Sequence, residues 1–574
     1  MLRAGLAGLY MSLSKIHSKK PANLNWTLTD DAVRIEAMDG SLKSFIWIVE
    51  QAYQCKEGVL YCPAIHDSTA LDARRAHFHA GMIGTFLQHN LVQPRKKGPP
   101  RVTQLDDHEY QFNLLYINQK DIKYRRDAAE KLFVQKRGHP FAFANEIHLK
   151  GYVLPGAPPR FKHEVSWVGT VAEGLLMLFA PLACSFTEVE PQRGTWCVIV
   201  PRILNLKQFM RLHVMQTLSS KNIMAASPAD AALLYMVESE LSRAHMEYCE
   251  VYIIGRVAWN KNQQVRKGVL RVQVDDRRFQ LYRKMRHTYF RNRMRAKKND
   301  PTYWVATPLA AARVAENLVQ NQRWYRHFAV PTGWHHDALE RQRKAHHGGS
   351  IQKIWFQSIS KFERKELIEF MNSGDDIWEK QEEKWFVEGF HQALSYHYAK
   401  EAEYAGRRGG ARKIGERFED LNDKIYRDIT HAKTAEQLRK VISEFWARAG
   451  RPVAVREHMA ELWKFLNADW QHARDLALVS LASFKSASSA FVAAIKEILE
   501  SDTAQNFVNE VSKAKDQQSA ENAFKVLWHE LDEDKDTHKE DILSFIKKDW
   551  KKALERARKI IEQHAQDNAS AAAS

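Results

Sequence analysis

Strand-like sequence is confined to roughly the first three hundred residues, and this division constrains the fold of the chain more than any other feature. Before about Pro308, short runs of β-branched and aromatic residues alternate with helix-like stretches and Pro/Gly loops. After Pro308, strand signals fade and helix-forming residues dominate. The sequence therefore predicts an α+β fold. It has a mixed α/β N-terminal region with β-hairpins (1–307), a helical domain (308–455) and a C-terminal helical bundle with a disordered tail (456–574).

Local patterns predict several individual elements within this frame. Leu6, Leu9, Tyr10 and Leu13 have helical spacing, which predicts a first amphipathic helix. The remaining predictions are strands at Gly58–Cys62, Tyr110–Ile117 and Trp196–Pro201, a buried helix or strand at Leu175–Ala183, a helix at Ala226–Ala244 and one long helix at Glu457–Phe484.

A long hairpin is predicted where two β-rich runs, Val251–Trp259 and Val265–Val274, flank a polar tip. The tip residues are Asn260, Lys261, Asn262, Gln263 and Gln264. Amide and ammonium side chains on a rigid two-stranded arm read groove edges or wedge a base step open. An ordinary exposed turn has the same composition, and the chemistry of the residues alone favours that simpler interpretation.

The net charge of the chain predicts a polyanionic partner. Lys and Arg number 86 against 69 Asp and Glu, a formal net charge of +17, which favours nucleic acid through counterion release. An anionic membrane surface competes with this interpretation, but no basic amphipathic anchor is evident. The longest apolar run, Gly174–Phe186, is too short to span a bilayer. Five scattered cysteines predict no disulfide framework, so we expect a reducing cytoplasmic location.

The densest functional signal is the basic segment Arg277–Lys298, which contains no acidic residue. Its cations are Arg277, Arg278, Arg283, Lys284, Arg286, Arg291, Arg293, Arg295, Lys297 and Lys298. Phe279, Tyr282, Tyr289 and Phe290 lie between them. Cations hold phosphates, and aromatic rings either stack on bases or pack the segment onto the core. Because so many like charges repel one another without an anion, nucleic-acid contact is favoured over a solvated helix face.

Smaller basic clusters are weaker candidates for the same role, since each alone is typical of solvated surface. They are Arg95, Lys96, Lys97 and Arg101 in a Pro/Gly loop, Lys123, Arg125 and Arg126, Lys136 and Arg137, and Arg407 and Arg408 in a glycine-rich break.

Enzyme signatures are weak, so we predict no catalytic residue, no metal site and no cofactor. The chain contains no Walker-type phosphate loop and no nucleophile elbow. Cys55, Cys62 and His66 have a loose ligand-like order, but no second pair completes a zinc site. Two patterns resemble metal-nuclease sites: His335, His336 and Asp337 with His346 and His347, and Asp375, Asp376, Glu382 and Lys384. The first lies among basic residues and the second on a helix-like stretch, so neither is favoured.

An ordered set of segments resembles a known family. The segments are Gly138–Lys162, Trp167–Gly169, Glu173–Cys184, Val198–Pro201, Gly255–Trp259, Asn317–Phe328, Phe386–Leu394, Arg448–Gly450 and Ala473–Ser483. Together they resemble the MYXAN-type large subunit of type I CRISPR Cascade complexes. The resemblance extends to about Phe484, and the last ninety or so residues match less well.

The resemblance implies a set of partners that suits the basic charge. These are a crRNA, target double-stranded DNA, the backbone, repeat-handle-binding and small subunits of the complex, and an effector that is either a helicase-nuclease or transposition machinery. Guide RNA reads the target by base pairing in such complexes, while protein reads a short flanking motif and opens the duplex. The resemblance implies that this large subunit reads the motif, has no nuclease activity, and carries a C-terminal part similar to a small subunit. The resemblance therefore favours the hypothesis that the hairpin tip inserts into the duplex as a wedge.

Two other functional classes stay open on sequence grounds. One is a metal-dependent nuclease using the His or Asp/Glu patterns above. The other is a structural RNA-binding scaffold without preference for a flanking motif. The position of Met459 also raises the hypothesis that an internal start yields a separate small subunit.

Overall fold

The structure is a computed structural model in which part of the chain is described. The described residues are 1–16, 20–37, 42–88, 96–117, 122, 133–136, 139–143, 147–150, 166–190, 194–215, 218–238, 246–257, 260–273, 275–297, 300–326, 328, 361–408, 421–422, 424–483, 495, 499, 504–529, 550–551, 553–555, 557–558, 560–562 and 565. They form two compact units, Met1–Trp324 and Tyr325–Ser574. The three-part division of the chain stays a prediction.

All the described strands belong to the first unit. They are β1 Leu24–Leu28, β2 Val33–Ala37, β3 Gln54–Lys56, β4 Val59–Tyr61, β5 Lys96–Lys97, β6 Arg101–Leu105, β7 His108–Phe112, β8 Leu115–Tyr116, β9 Phe133–Lys136, β10 His139–Phe143, β11 Ile147–Lys150, β12 Ser166–Gly169, β13 Ser185–Glu190, β14 Thr195–Ile203, β15 Met246–Val257, β16 Asn260–Val272, β17 Arg293–Lys297 and β18 Asp300–Ala306.

Two four-stranded sheets organise these strands. The first, in the order β13-β14-β15-β16, is antiparallel throughout. The second has the order β17-β18-β7-β6, and β18 runs parallel to β7. Strand β14 is almost entirely buried because it lies inside the first sheet. The remaining described strands form two-stranded pairs.

The helices of the first unit pack around these sheets. They are α1 Leu2–Lys15, α2 Leu42–Ala52, α3 Ala73–Gly84, α4 Val171–Phe179, α5 Leu206–Met215, α6 Ser220–Ile223, α7 Pro228–Glu238, α8 Asp276–Lys284 and α9 Leu309–Val319. A turn of 3₁₀-helix, Ala180–Ala183, extends α4, and a π-helical turn, Met285–Tyr289, extends α8.

Helix α1 forms where the sequence predicted an amphipathic helix, but it is buried on nearly all sides. The reason is its close approach to α4. A Cβ atom on Gly5 would overlap the carbonyl oxygen of Leu176, and one on Gly8 would overlap that of Phe179. The two glycines therefore let the helix backbones meet, and the first helix becomes part of the core.

The second unit is helical in every described element. Its helices are α10 Lys361–Met371, α11 Gln381–Arg408, α12 Ala435–Arg448, α13 Val453–Glu457, α14 Met459–Ala468, α15 Trp470–Ser483, α16 Ala504–Lys513 and α17 Gln517–His529. Phe386 on α11 contacts the rings of Trp446 and Phe465, which lie on α12 and α14. Residues between Ile495 and Ala557 form a further apolar cluster around Phe507 and Phe524.

The α+β class, with a mixed N-terminal region and a helical C-terminal region, is confirmed. The predicted long hairpin is formed by β15 and β16, and the predicted helix at Ala226–Ala244 is observed at Pro228–Glu238. The single helix predicted at Glu457–Phe484 is wrong. The helix is interrupted at His458 and Asp469, whose backbone dihedral angles are not helical. Apolar residues of this stretch, among them Leu462 and Leu476, are nevertheless buried.

Candidate nucleic-acid interface

The basic segment forms three structural pieces rather than one helix. Asp275 caps α8 by accepting a hydrogen bond from the Arg278 amide at 2.9 Å. The π-helical turn follows, and the chain then enters β17, which pairs with β18. The cations of the segment divide into exposed, half-buried and buried groups.

Arg277, Arg283, Arg291 and Arg295 are exposed, whereas Arg278, Lys284, Arg293 and Lys297 are half-buried. Arg278 lies 3.2 Å from the carboxylate of Asp275, and Lys297 lies 3.8 Å from that of Asp300. Lys298 lies outside the described residues. The exposed members are the ones with solvent access suited to a phosphate.

Arg286 differs from its neighbours because its guanidinium is buried against a carboxylate. Its Nε lies 3.2 Å from Oδ1 of Asp230, and the two side chains are 3% and 0% exposed. The Tyr282 hydroxyl donates to the same oxygen at 2.6 Å. The Arg286 Nη2 also donates to Oδ1 of Asn292 at 3.0 Å. This network joins α7, α8 and the start of β17, so we leave Arg286 out of the proposed surface.

The four aromatic residues interleaved with these cations are buried to different extents. Tyr282 and Phe290 are fully buried, whereas Phe279 and Tyr289 are half-buried. Two of the four rings therefore anchor the segment to the core, where they are unavailable for stacking on bases. This is the packing alternative that the sequence left open.

One cluster of cations forms where the segment meets α6 and α7. His287 lies on the π-helical turn, and its Nε2 is 3.5 Å from Oε1 of Glu238. Burial lowers the pKa of His287, Glu238 opposes this shift, and the charges of Lys221, Arg283 and Arg291 lower the pKa further. These three exposed cations therefore act on one half-buried imidazole. We call Lys221, Arg283, Arg291 and His287 the cation cluster.

Lys221 is a residue that sequence reasoning missed, because it stands alone in the sequence SSKNIM. Asn292 brings it to the basic segment. The Asn292 Nδ2 donates to the carbonyls of Ser220 and Met224, each at 2.8 Å, and to that of Lys221 at 3.3 Å. No local pattern marks such a long-range contact in advance.

The smaller predicted clusters are only partly within the described structure. Arg101 lies at the start of β6, with its guanidinium 5.7 Å from the centre of the Tyr116 ring and 3.9 Å from Glu57. Lys96 and Lys97 form β5, which pairs with β8. Arg407 and Arg408 end α11 in the second unit. Nothing is described of the side chains of these four residues, and Arg125, Arg126 and Arg137 lie outside the described residues.

The predicted hairpin tip is shifted relative to the sequence interpretation. Strand β16 begins at Asn260, which pairs with Val257, and the next pair is Arg256 with Gln264. Lys261, Asn262 and Gln263 therefore form an irregularity in the ladder instead of the turn. Residues 258–259 and the side chains of 256–267 lie outside the described part. Bulges of this kind re-aim side chains at functional edges of sheets.

Some of the residues considered as metal or nuclease sites lie within the described structure and contact one another. His66 accepts a hydrogen bond from the Cys62 amide at 3.0 Å, and Asp375 pairs with Lys384 at 2.9 Å. Residues 335–337 and 346–347 lie outside the described ranges. Within the ranges that are described, no group of three or more His, Cys, Asp or Glu residues is placed to hold a metal ion. All five cysteines are free thiols.

None of the described helices is both long enough and apolar enough to cross a bilayer.

Comparisons with known proteins agree with the resemblance seen in the sequence. A model of the DevT N-terminal domain matches residues 1–179, and a model of the DevT C-terminal domain matches residues 374–509. The chain is 24% identical over 527 residues to the CRISPR-associated protein Cas8a1/Csx13 of Myxococcus xanthus strain DK1622. That alignment covers 84% of this chain and 86% of the relative. The two DevT models together cover more than half of the sequence, so the chain belongs to the DevT family, and its similarity to Cas8a1/Csx13 supports a Cas8-type large subunit.

Proposed function

We propose that this large subunit grips target DNA or guide RNA with its basic segment, reads a short motif beside the target and helps to open the duplex. The observation that supports this proposal most directly is that Asn292 ties the helix of Lys221 to the basic segment, so that the charges of Lys221, Arg283 and Arg291 all act on His287. Glu238 pairs with His287, so the cluster sets three exposed cations against one carboxylate, and this surplus of positive charge favours a phosphate. A crRNA, target DNA, other Cascade subunits and an effector are the proposed partners, and the subunit acts as a binding module rather than a catalyst.

Neutralising the cation cluster is expected to weaken nucleic-acid binding for every sequence alike. The variant Lys221→Gln/Arg283→Gln/Arg291→Gln removes three phosphate partners. The slope of log affinity against log salt should therefore become shallower by about 0.9 per lost contact with duplex DNA. Titrations of labelled DNA and RNA at several salt concentrations measure this slope.

The matched control is Lys433→Gln/Arg439→Gln/Lys440→Gln, which removes the same charge from exposed positions of the second unit. It should change the slope little if the cluster is a specific contact. Equal losses in the two triple variants would contradict the proposal, since binding would then follow net charge alone.

The hairpin of β15 and β16 is the proposed motif reader, because Gln263 lies in the irregular stretch where the ladder is interrupted. Gln263→Ala is expected to change the preferred flanking sequence or to slow duplex opening, since amide side chains read base edges. Selection of bound targets from a library with randomised flanking positions, using the assembled ribonucleoprotein, measures the preference. The exposed Gln208→Ala serves as control. An unchanged preference and opening rate for Gln263→Ala would reject the assignment.

A further inference from the structure

A second surface, separate from the basic segment, lies on the first sheet where planar side chains gather. Tyr248, Glu250 and Tyr252 alternate along β15 with the buried Cys249 and Val251, so the first three share one face. With Arg3, at the start of α1, they line a cleft of about 830 Å³. Nothing in the basic composition of the chain pointed to this surface.

Tyr248 lies beside two guanidinium groups. The guanidinium carbon of Arg271 is 4.3 Å from the centre of the Tyr248 ring, and that of Arg202 is 5.5 Å from it. Arg202 also donates to the Tyr248 hydroxyl at 3.3 Å. Such distances fit cation–π contact, and both aromatic rings and guanidinium planes are stacking partners for unpaired bases.

The two arginines are held by carboxylates that a phosphate could replace at small cost. Arg202 is 2.6 Å from Glu247, and Arg271 is 3.1 Å from Glu250. The arginine side chains are 55% and 61% exposed, and ion pairs as exposed as these contribute little stability. The carboxylates thus orient the guanidinium groups of Arg202 and Arg271, yet the ion pairs are weak enough for a phosphate to replace them.

Tyr252 gives the surface a second ring. Its hydroxyl donates to Glu250 at 3.2 Å, which orients the phenol. Tyr252 lies four positions after Tyr248, a distance of about 13 Å along β15, so separate bases would contact the two rings. Exposed Val269, paired with Tyr252, adds apolar area to the same face.

We propose that this face binds unpaired nucleotides of a single strand, whose bases stack on Tyr248 and Tyr252 while Arg202 and Arg271 contact the phosphates. The inference rests on the proposed function in its broad form, that the chain binds nucleic acid. It adds a base-dependent component, whereas the cation cluster supplies a contact to phosphate that is independent of bases. β15 and β16 would then contact nucleic acid along their length as well as at the hairpin end.

The test compares a base-containing strand with an abasic strand of equal length, using the full chain at fixed salt. Tyr248→Leu/Tyr252→Leu keeps apolar bulk but removes the stacking rings. We expect about a tenfold or greater loss of affinity for short oligouridine or oligothymidine, and no change for the abasic strand. Tyr396→Leu, a substitution of a 46% exposed tyrosine in the second unit, is the control and should lose nothing. A larger loss on RNA or on DNA tells which strand occupies the face.

Unchanged affinity of the folded tyrosine variant for both base-containing strands would overturn the inference. So would normal strand binding combined with loss of another subunit from the assembled complex, because the face would then bind protein. Failure of the unmodified chain to bind any strand would instead overturn the proposed function. Should the variant not fold, 4-thiouridine crosslinking of the unmodified chain decides. Adducts at Tyr248 or Tyr252 support the inference, and adducts confined to other peptides overturn it.

Discussion

Arg286→Ala is expected to destabilise the first unit by about 3–5 kcal/mol, the effect of leaving a buried charge without its partner. Asp230 is fully buried, and besides Arg286 its carboxylate accepts hydrogen bonds from Tyr282 and, at 2.9 Å, from the Ala226 amide. Removing the guanidinium leaves this carboxylate as an uncompensated charge. Urea unfolding followed by tryptophan fluorescence measures the loss.

Arg291→Ala is the matched control, because Arg291 belongs to the same segment but is exposed. Its effect on unfolding should stay within about 0.5 kcal/mol. The double variant Arg286→Met/Asp230→Asn should regain part of the stability lost in Arg286→Ala, since it removes the unpaired charge while the amide oxygen remains an acceptor for Tyr282. A loss below about 1 kcal/mol for Arg286→Ala would contradict the structural role of the pair.

This result matters for any scan of the basic segment. Arg286→Ala would weaken nucleic-acid binding by destabilising the first unit, whereas Arg283→Gln would do so by removing the proposed contact to a phosphate. Only the first should lower the urea midpoint. The free energy of unfolding of each variant of the basic segment should therefore be measured together with its nucleic-acid affinity.

The alternation of apolar and polar residues made the hairpin of β15 and β16 predictable, since period two is a local property of the chain. The position of its turn was not, because an irregular ladder depends on cross-strand pairing. The break of the predicted helix at His458 likewise depends on distant residues. The His458 ring stacks on Trp385 with 3.7 Å between ring centres, and helix propensity cannot predict such a contact.

The candidate site shows the same limit. A run of cations in the sequence marked the segment, but nothing in that run distinguished Arg286 from Arg283. The distinguishing signal was elsewhere: Asp230 is the acid in the otherwise apolar first two turns of PADAALLYMVE, and a buried acid requires a partner. Tyr282 and Arg286 are four residues apart, which places both on the face toward that acid. No comparable local signal marked Lys221 or the surface formed by Tyr248, Tyr252, Arg202 and Arg271.

Acidification is expected to unfold the first unit between pH 6.5 and pH 4, because four histidines are buried there in the neutral form. Burial lowers the pKa of His66 and His213 from 6.5 to about 3, and that of His77 and His79 to about 4. The cations of Arg74 and Arg75 add to the effect at His66.

The hydrogen bonds of these rings give the shifts a structural cause. The Nδ1 of His79 accepts from the Leu60 amide at 3.2 Å, so its Nε2 donates to the Leu115 carbonyl at 2.6 Å. The Nδ1 of His66 likewise accepts from the Cys62 amide at 3.0 Å. A proton on either Nδ1 would face an N–H donor and break the bond, so the fold selects the neutral ring.

The sign follows from proton counting. Below pH 6.5 these histidines take up protons in the unfolded chain but stay neutral in the folded chain. The free energy of unfolding therefore falls as the pH is lowered, and the full contribution of the neutral rings is present only above pH 6.5. At pH 5 each such histidine costs ~2 kcal/mol, and four cost ~8 kcal/mol. A loss of this size is comparable with the whole stability of a typical domain. Urea unfolding at pH 7.5, 6 and 5 measures it.

His77→Gln provides the internal test of this explanation. The Nε2 of His77 donates to the Phe186 carbonyl at 2.8 Å, and a glutamine amide retains a donor there but does not take up a proton in this range. The variant should therefore lose ~2 kcal/mol less than the unmodified chain between pH 7.5 and pH 5. An unfolding free energy that stays constant over this range in the unmodified chain would mean that the four rings take up protons as readily in the folded state as in the unfolded chain, and would contradict the explanation.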